Sequence, residues 1–162
     1  SKEIVVEKWV LEGRVDCGFL SRSSHTTLET FPIEQDEWVV ILSPNHPLAD
    51  LPVFPMKALQ DYPFLLMAKD NNTDIIDVLN ANNLSLDIRL TTWDDYAIAA
   101  SVEQDLGISI LPRLTLQRTP YNIIIKSLEK PVYREISFAV RELKTASQAV
   151  KRFMDYIQYR NL

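Results

Sequence analysis

With 162 residues, 46% of them hydrophobic, the chain has material for one good core or for two small lobes that share their connecting strands. Its 17 Lys and Arg against 22 Asp and Glu leave a net charge of −5, which argues against a nucleic-acid surface on this segment, because phosphate binding relies on clustered cations. The three glycines, Gly13, Gly18 and Gly107, are too scattered for a phosphate-cradling loop, and no apolar run approaches the roughly 20 residues of a membrane span.

A single cysteine, Cys17, has no internal disulfide partner and points to a reducing compartment, the cytoplasm. Residues 1–12 read as a helix with Val5, Trp9 and neighbouring apolar residues on one side, stopped by Gly13, and Val15 to Leu20 as a buried strand. The chain thus opens inside a βα unit, and the natural protein is expected to continue upstream of Ser1. Thr27 to Ile33 and Glu37 to Ser43 are extended segments, the second holding the apolar run Trp38-Val-Val-Ile-Leu42. Pro44, Pro47, Pro52 and Pro55 mark a loop, with a short helix through Leu59.

Phe64 to Met67 reads as a strand, Asn71 to Asp74 as a polar turn, Ile75 to Leu79 as a helix and Leu86 to Leu90 as a strand. Thr92 and Asp95 have capping-box spacing and open a helix over Trp93 to Gln104, with Ala97 and Ala100 on its buried side. Gly107 stops that helix before the strand to Leu111. A helical turn, the apolar run Asn122 to Ile125 and an extended segment from Glu135 to Val140 follow. The final helix spans Thr145 to Tyr159, with Ala146, Ala149, Val150, Phe153 and Ile157 at helical spacing. Alternation of strands and helices predicts an α/β fold with a largely parallel sheet, and Trp38–Ser43 and Ile123–Leu128 are the strands that would cross between two lobes.

Three segments stand in a telling order: Trp9-Val-Leu-Glu-Gly-Arg-Val-Asp-Cys-Gly-Phe-Leu20, Trp38-Val-Val-Ile-Leu-Ser-Pro-Asn-His-Pro-Leu-Ala49 and Val102-Glu-Gln-Asp-Leu-Gly-Ile-Ser-Ile-Leu-Pro-Arg113. With Tyr62-Pro-Phe-Leu65 and a terminal helix holding Phe153, the chain resembles the effector-binding domain of LysR-type transcriptional regulators. The resemblance implies a two-lobed, periplasmic-binding-protein type II-like fold with two crossing strands and a ligand cleft between the lobes. Lobe I would take 1–43 and 128–162, and lobe II 44–127. The family's first strand and helix of lobe I, and its N-terminal winged helix-turn-helix, have no counterpart here. Family dimers pack that helix against one that maps to Thr73–Asn80.

The same resemblance implies that the strand ending at Leu20 delivers Ser21 and Arg22 to a ligand; an ordinary exposed loop is the competing reading. Lys69-Asp-Asn-Asn-Thr73 lies between a strand and a helix, where free backbone N–H groups favour an anion, so Lys69, Asn71, Asn72 and Thr73 are candidate contacts. Asp70 and Asp74 oppose an anion there, and Thr73 also suits a plain helix cap. Trp93 and Asp94, which begin a helix, are further ligand candidates, with a capping and core role as the competing reading; Gly107 to Ser109 are candidates too, although helix termination already accounts for the glycine. Arg113 and Lys69 are the cations that could neutralise an anionic ligand, with a solvated surface charge as the competing reading of either.

Cys17 reads as a small core residue. His25 and His46 are far apart in sequence, no His/Cys cluster supplies the three or four ligands of a metal, and no serine has a Gly-x-Ser-x-Gly setting, so neither catalytic residues nor metal nor cofactor are expected. The leading expectation is a ligand-sensing regulatory domain, homodimeric or tetrameric in its full protein, that touches DNA only through another domain. Its effector would be an organic anion or amino acid metabolite. The alternatives are a periplasmic-type solute-binding protein of an uptake system and a two-lobed transferase or dehydratase.

Overall fold

Residues 2–21, 26–67 and 73–160 are described by the computed structural model, in the order α1 (Lys2–Leu11), β1 (Cys17–Ser21), β2 (Glu29–Leu42), β3 (Pro63–Met67), α2 (Thr73–Ala81), β4 (Asp87–Thr92), α3 (Asp95–Glu103), β5 (Ser109–Pro112), β6 (Ile124–Val140) and α4 (Gln148–Arg160). Short 3₁₀ turns at Met56–Gln60 and Arg113–Leu116 complete the order. The chain divides into two compact units, Ser1–Gln35 with Arg134–Leu162, and Asp36–Tyr133.

In the first unit β1 runs antiparallel to the end of β6, with Cys17 opposite Val140 and Ser21 opposite Ile136. On one face Val10 of α1 packs with Leu20, Leu28 and Ala139; on the other, Val150 and Met154 of α4 pack with Phe138 and Val140. The α1 face is turned by one residue from the expected one: Val5 and Trp9 are exposed, whereas Val10 is buried and Val6 packs beside it. Gly18 explains the choice, since a Cβ there would lie 2.6 Å from Val6 Cγ1 and 3.5 Å from Val10 Cγ2. The missing side chain makes the slot that those two valines fill. In α4 Val150 is buried as expected, but Phe153 is 43% exposed and Met154 takes the inward place. That helix begins at Gln148 and not at Thr145, because Ser147 Oγ accepts the Val150 N–H as a cap.

In the second unit the unbroken apolar run of β2 is buried on both faces. Trp38, Val40 and Leu42 join Phe54, Phe64, Ile75 and Leu79 on the α2 side; Val39 and Ile41 join Leu65, Met67, Ile98 and Val102 on the α3 side. The inward residues of α3 are therefore Ile98, Ala99 and Val102, while Ala97 and Ala100 are only half-buried. Strand β5 is antiparallel to β2, with Trp38 opposite Pro112 and Ile41 opposite Ser109, and β3 is parallel to β4. Leu65 N–H donates to Ile108 O and Ile108 N–H to Pro63 O, tying β3 to the chain entering β5.

The strand order is β1-β6-β2-β5, with β3-β4 as a second sheet. A largely parallel sheet was expected, but β1 with β6 and β2 with β5 are antiparallel. The two extended segments at 27–43 form one 14-residue strand, and the two between 122 and 140 one 17-residue strand. Each seemed interrupted because its halves serve different cores: Phe31 and Ile33 pack with the α4 cluster, Val39 and Ile41 with the α3 cluster.

The cap of α3 also differs from the capping box expected at Thr92. Asp94 is the N-cap, its Oδ1 accepting the N–H groups of Tyr96 (2.9 Å) and Ala97 (3.4 Å), while Thr92 Oγ1 accepts the Asp94 N–H. Replacing Asp94 by Ala is expected to cost about 1 kcal/mol and Thr92→Ala less, as measured by urea unfolding. The reverse ranking would return the cap to Thr92.

Candidate functional site

Parallel pairing sets which loops share an end of the second unit. Met67 lies opposite Thr92, so β3 and β4 finish side by side, and the chain leaves them into 68–72 and into Trp93 and Asp94. The C-terminal ends of parallel strands, followed by helix N-termini, are where α/β folds bind small molecules. Thr73 starts α2 from this end, and Asp95 starts α3. Trp93 is 66% exposed, which is incompatible with the core role considered for it and leaves its indole open to a ligand. At the α3 N-terminus Asp94 Oδ1 already accepts the Tyr96 and Ala97 N–H groups.

Gly107 and Ser109 stand elsewhere. Phe64 bridges Ile108 in parallel, so Gly107 lies at the start of β3 and β5, one β3 length (about 13 Å for four steps of about 3.3 Å) from the Met67–Thr92 end. There it permits close packing: a Cβ would come within 2.5 Å of Pro63 O. Ser109 is fully buried, and its Oγ donates to Leu65 O at 2.6 Å. Both residues are accounted for by the sheet itself.

Ser21 ends β1 in the first unit and is half-buried opposite Ile136. Arg22, Lys69, Asn71 and Asn72 lie outside the described residues. Arg113, chosen as a cation for an anionic ligand, is engaged: its Nη2 lies 2.7 Å from Glu37 Oε2 and 3.2 Å from Ser127 Oγ. Beside it, Asp36 Oδ1 accepts the Leu114 N–H at 2.9 Å, so two acids of β2 hold the turn after β5. Sequence reading missed this arrangement, because Glu37 and Arg113 are 76 residues apart. Cys17 is half-buried, and burial, with Asp16 adding to it, raises its thiol pKa; this is the behaviour of a packing residue, not of a reactive thiolate.

The first unit also holds an open groove of about 1030 Å³, with Phe31, Leu143 and Met154 as its apolar lining and Glu29, Lys144, Lys151 and Asp155 among its polar residues. Among the described residues, none of the expected ligand residues lines it. No motif marks it in the sequence, since its walls come from β2, the segment before α4 and α4 itself.

The family model of the LysR substrate binding domain matches residues 4–161. The chain is a LysR substrate-binding domain. This LysR domain is 30% identical over 159 residues to the uncharacterized HTH-type transcriptional regulator YeiE of Escherichia coli K12, covering 94% of this chain and 54% of that protein. It is 25% identical over 152 residues to the uncharacterized HTH-type regulator YvbU of Bacillus subtilis 168, covering 93% of this chain and 52% of the relative. The chain thus spans about half the length of the curated relatives it matches.

Among solved structures, the effector binding domain of QuiR in complex with shikimate superposes with a TM-score of 0.81 at 25% identity, over 97% of this chain and 76% of that one. The regulatory domain of Synechocystis PCC6803 CcmR in complex with 2-PG gives a TM-score of 0.84 at 22% identity, over 96% of this chain and 77% of its own, a likeness of fold. The mixed α/β fold is that of LysR effector-binding domains, of the periplasmic-binding-protein type II-like kind. Its relatives are transcriptional regulators, which disfavours the reading as a solute-binding protein of an uptake system. Among the described residues no helix is long and apolar enough to cross a membrane.

Proposed function

We propose that this LysR domain binds a small organic anion or amino acid metabolite and uses it to control DNA binding by a helix-turn-helix domain elsewhere in a cytoplasmic homodimer or tetramer. It carries no catalytic step. The match to the LysR substrate-binding family over residues 4–161 supports this reading above all else. The −5 net charge agrees with it, since a domain that regulates without touching DNA needs no cationic face. The shikimate bound by QuiR and the 2-PG bound by CcmR give the size class of effector to try first. A ligand that prefers one conformation of the domain by about 1–3 kcal/mol is enough to couple to a distant site.

Within this reading Ser21, Arg22, Lys69, Asn71, Asn72, Thr73 and Trp93 serve the effector, while Gly107, Ser109 and Arg113 do not. The test is calorimetric titration of the wild-type chain and of Ser21→Ala with Thr73→Ala, using whichever small acid or amino acid raises the melting temperature. The expected result is affinity weakened by about tenfold or more, about 1.4 kcal/mol, with melting of the free protein unchanged. Equal affinity in the double variant would remove both residues from the site.

A further inference from the structure

His46 sits in the loop that follows β2 and is only 8% exposed. The loop folds tightly around it: His46 N–H donates to Ser43 O, Ala49 N–H to His46 O, and Asn45 N–H to Ser43 Oγ. The ring itself closes the turn, because its Nδ1 accepts the Leu48 N–H at 3.1 Å. An imidazole nitrogen that accepts cannot carry a proton, so the neutral ring keeps its proton on Nε2. That nitrogen is buried and has no hydrogen-bond partner among the described residues. The ring packs 4.3 Å from the Tyr62 ring and 6.5 Å from Phe54, measured between centroids. Among the described residues, the titratable groups that face it are those of Tyr62, before β3, and Asp105, in the turn after α3.

We propose that His46 is a proton-operated latch on the 43–49 loop: the neutral ring holds the turn shut through the Leu48 N–H, and protonation releases it. A second proton goes on Nδ1, where an N–H would then face the Leu48 N–H, donor against donor. The imidazolium, still enclosed by aromatic walls, is drawn instead toward Asp105. The two arrangements of the loop therefore differ by one proton.

Burial lowers the His46 pKa below the ordinary 6.5, and Asp105 opposes this as the smaller effect. The folded protein thus binds its proton less readily than the unfolded chain. Stability is full above pH 6.5 and is lost as pH falls from there toward the folded midpoint. Across that window the unfolding constant rises by up to about tenfold per pH unit.

The chain has two histidines, so variants separate them. Urea unfolding between pH 8 and pH 5.5 is expected to show the loss in wild type and in His25→Gln, and to show it abolished in His46→Gln. A flat wild-type profile, or a loss that persists in His46→Gln, would overturn the latch. If His46→Gln does not fold, NMR titration of the wild-type chain decides: the His46 ring is expected to titrate below 6.5 with the Leu48 amide shifting in step. A ring midpoint at or above 6.5, or a Leu48 amide that ignores it, refutes the proposal.

Discussion

Replacing Gly107 by Ala is expected to destabilise the second unit by about 3 kcal/mol, the upper range for a single substitution. The Cβ would lie 2.5 Å from Pro63 O, 3.1 Å from Pro63 C and 3.3 Å from Leu65 Cδ2, at a φ of +156°. Neither carbonyl atom can step aside, because Pro63 O accepts the Ile108 N–H that joins β3 to the chain entering β5. Relieving the overlap means parting the two strands. Gly13 is the control. Its φ is +69°, but a Cβ there meets only the flexible Arg141 guanidinium at 3.5 Å, so Gly13→Ala costs only the left-handed conformation, about 1–2 kcal/mol. Chemical denaturation of both variants reads the difference, and equal losses would mean that the Pro63 contact relaxes freely.

The second large effect is expected at Phe64, which is 2% exposed and packs in the cluster that holds Phe54, Leu59, Ile75 and Leu79. Truncation to Ala removes a ring from a close-packed site and leaves a cavity, at a cost of about 3–5 kcal/mol. Against a typical total stability of about 5–15 kcal/mol, that removes much of the margin. Because Phe64 lies in the strand that leads to Met67, the damage should reach the candidate effector end, with faster amide exchange in β4 as its sign. Phe153→Ala serves as the comparison, since a ring 43% exposed on α4 has less to lose. A thermal melt that ranks Phe153→Ala below Phe64→Ala in stability would contradict the burial pattern.

The sequence was most legible where burial is complete. Trp38 to Leu42 is apolar at every position because α2 covers one face and α3 the other, and such a run announces a central strand. It was less legible where a distant residue decided the outcome. The α1 face depends on the slot at Gly18, and two apolar stripes one residue apart look alike until β1 is in place. The lengths of β2 and β6 were hidden because each strand supplies apolar residues to more than one cluster.

For the site, the loops after β3 and β4 could be found from alternation alone. That they share an end follows only from the parallel register of Met67 with Thr92. The same register places Gly107 and Ser109 at the other end of β3, away from the Met67–Thr92 end, which alternation does not show. Arg113 looked available because its partner, Glu37, is remote in sequence.

The most direct test is hydrogen exchange of the chain with and without a small organic acid or amino acid that raises its melting temperature. The account predicts slower exchange in the segments leaving β3 and β4, at 68–75 and 93–97, with little change in β5. Protection confined to Glu29–Phe31 and α4 would move the effector to the groove of the first unit and contradict the account.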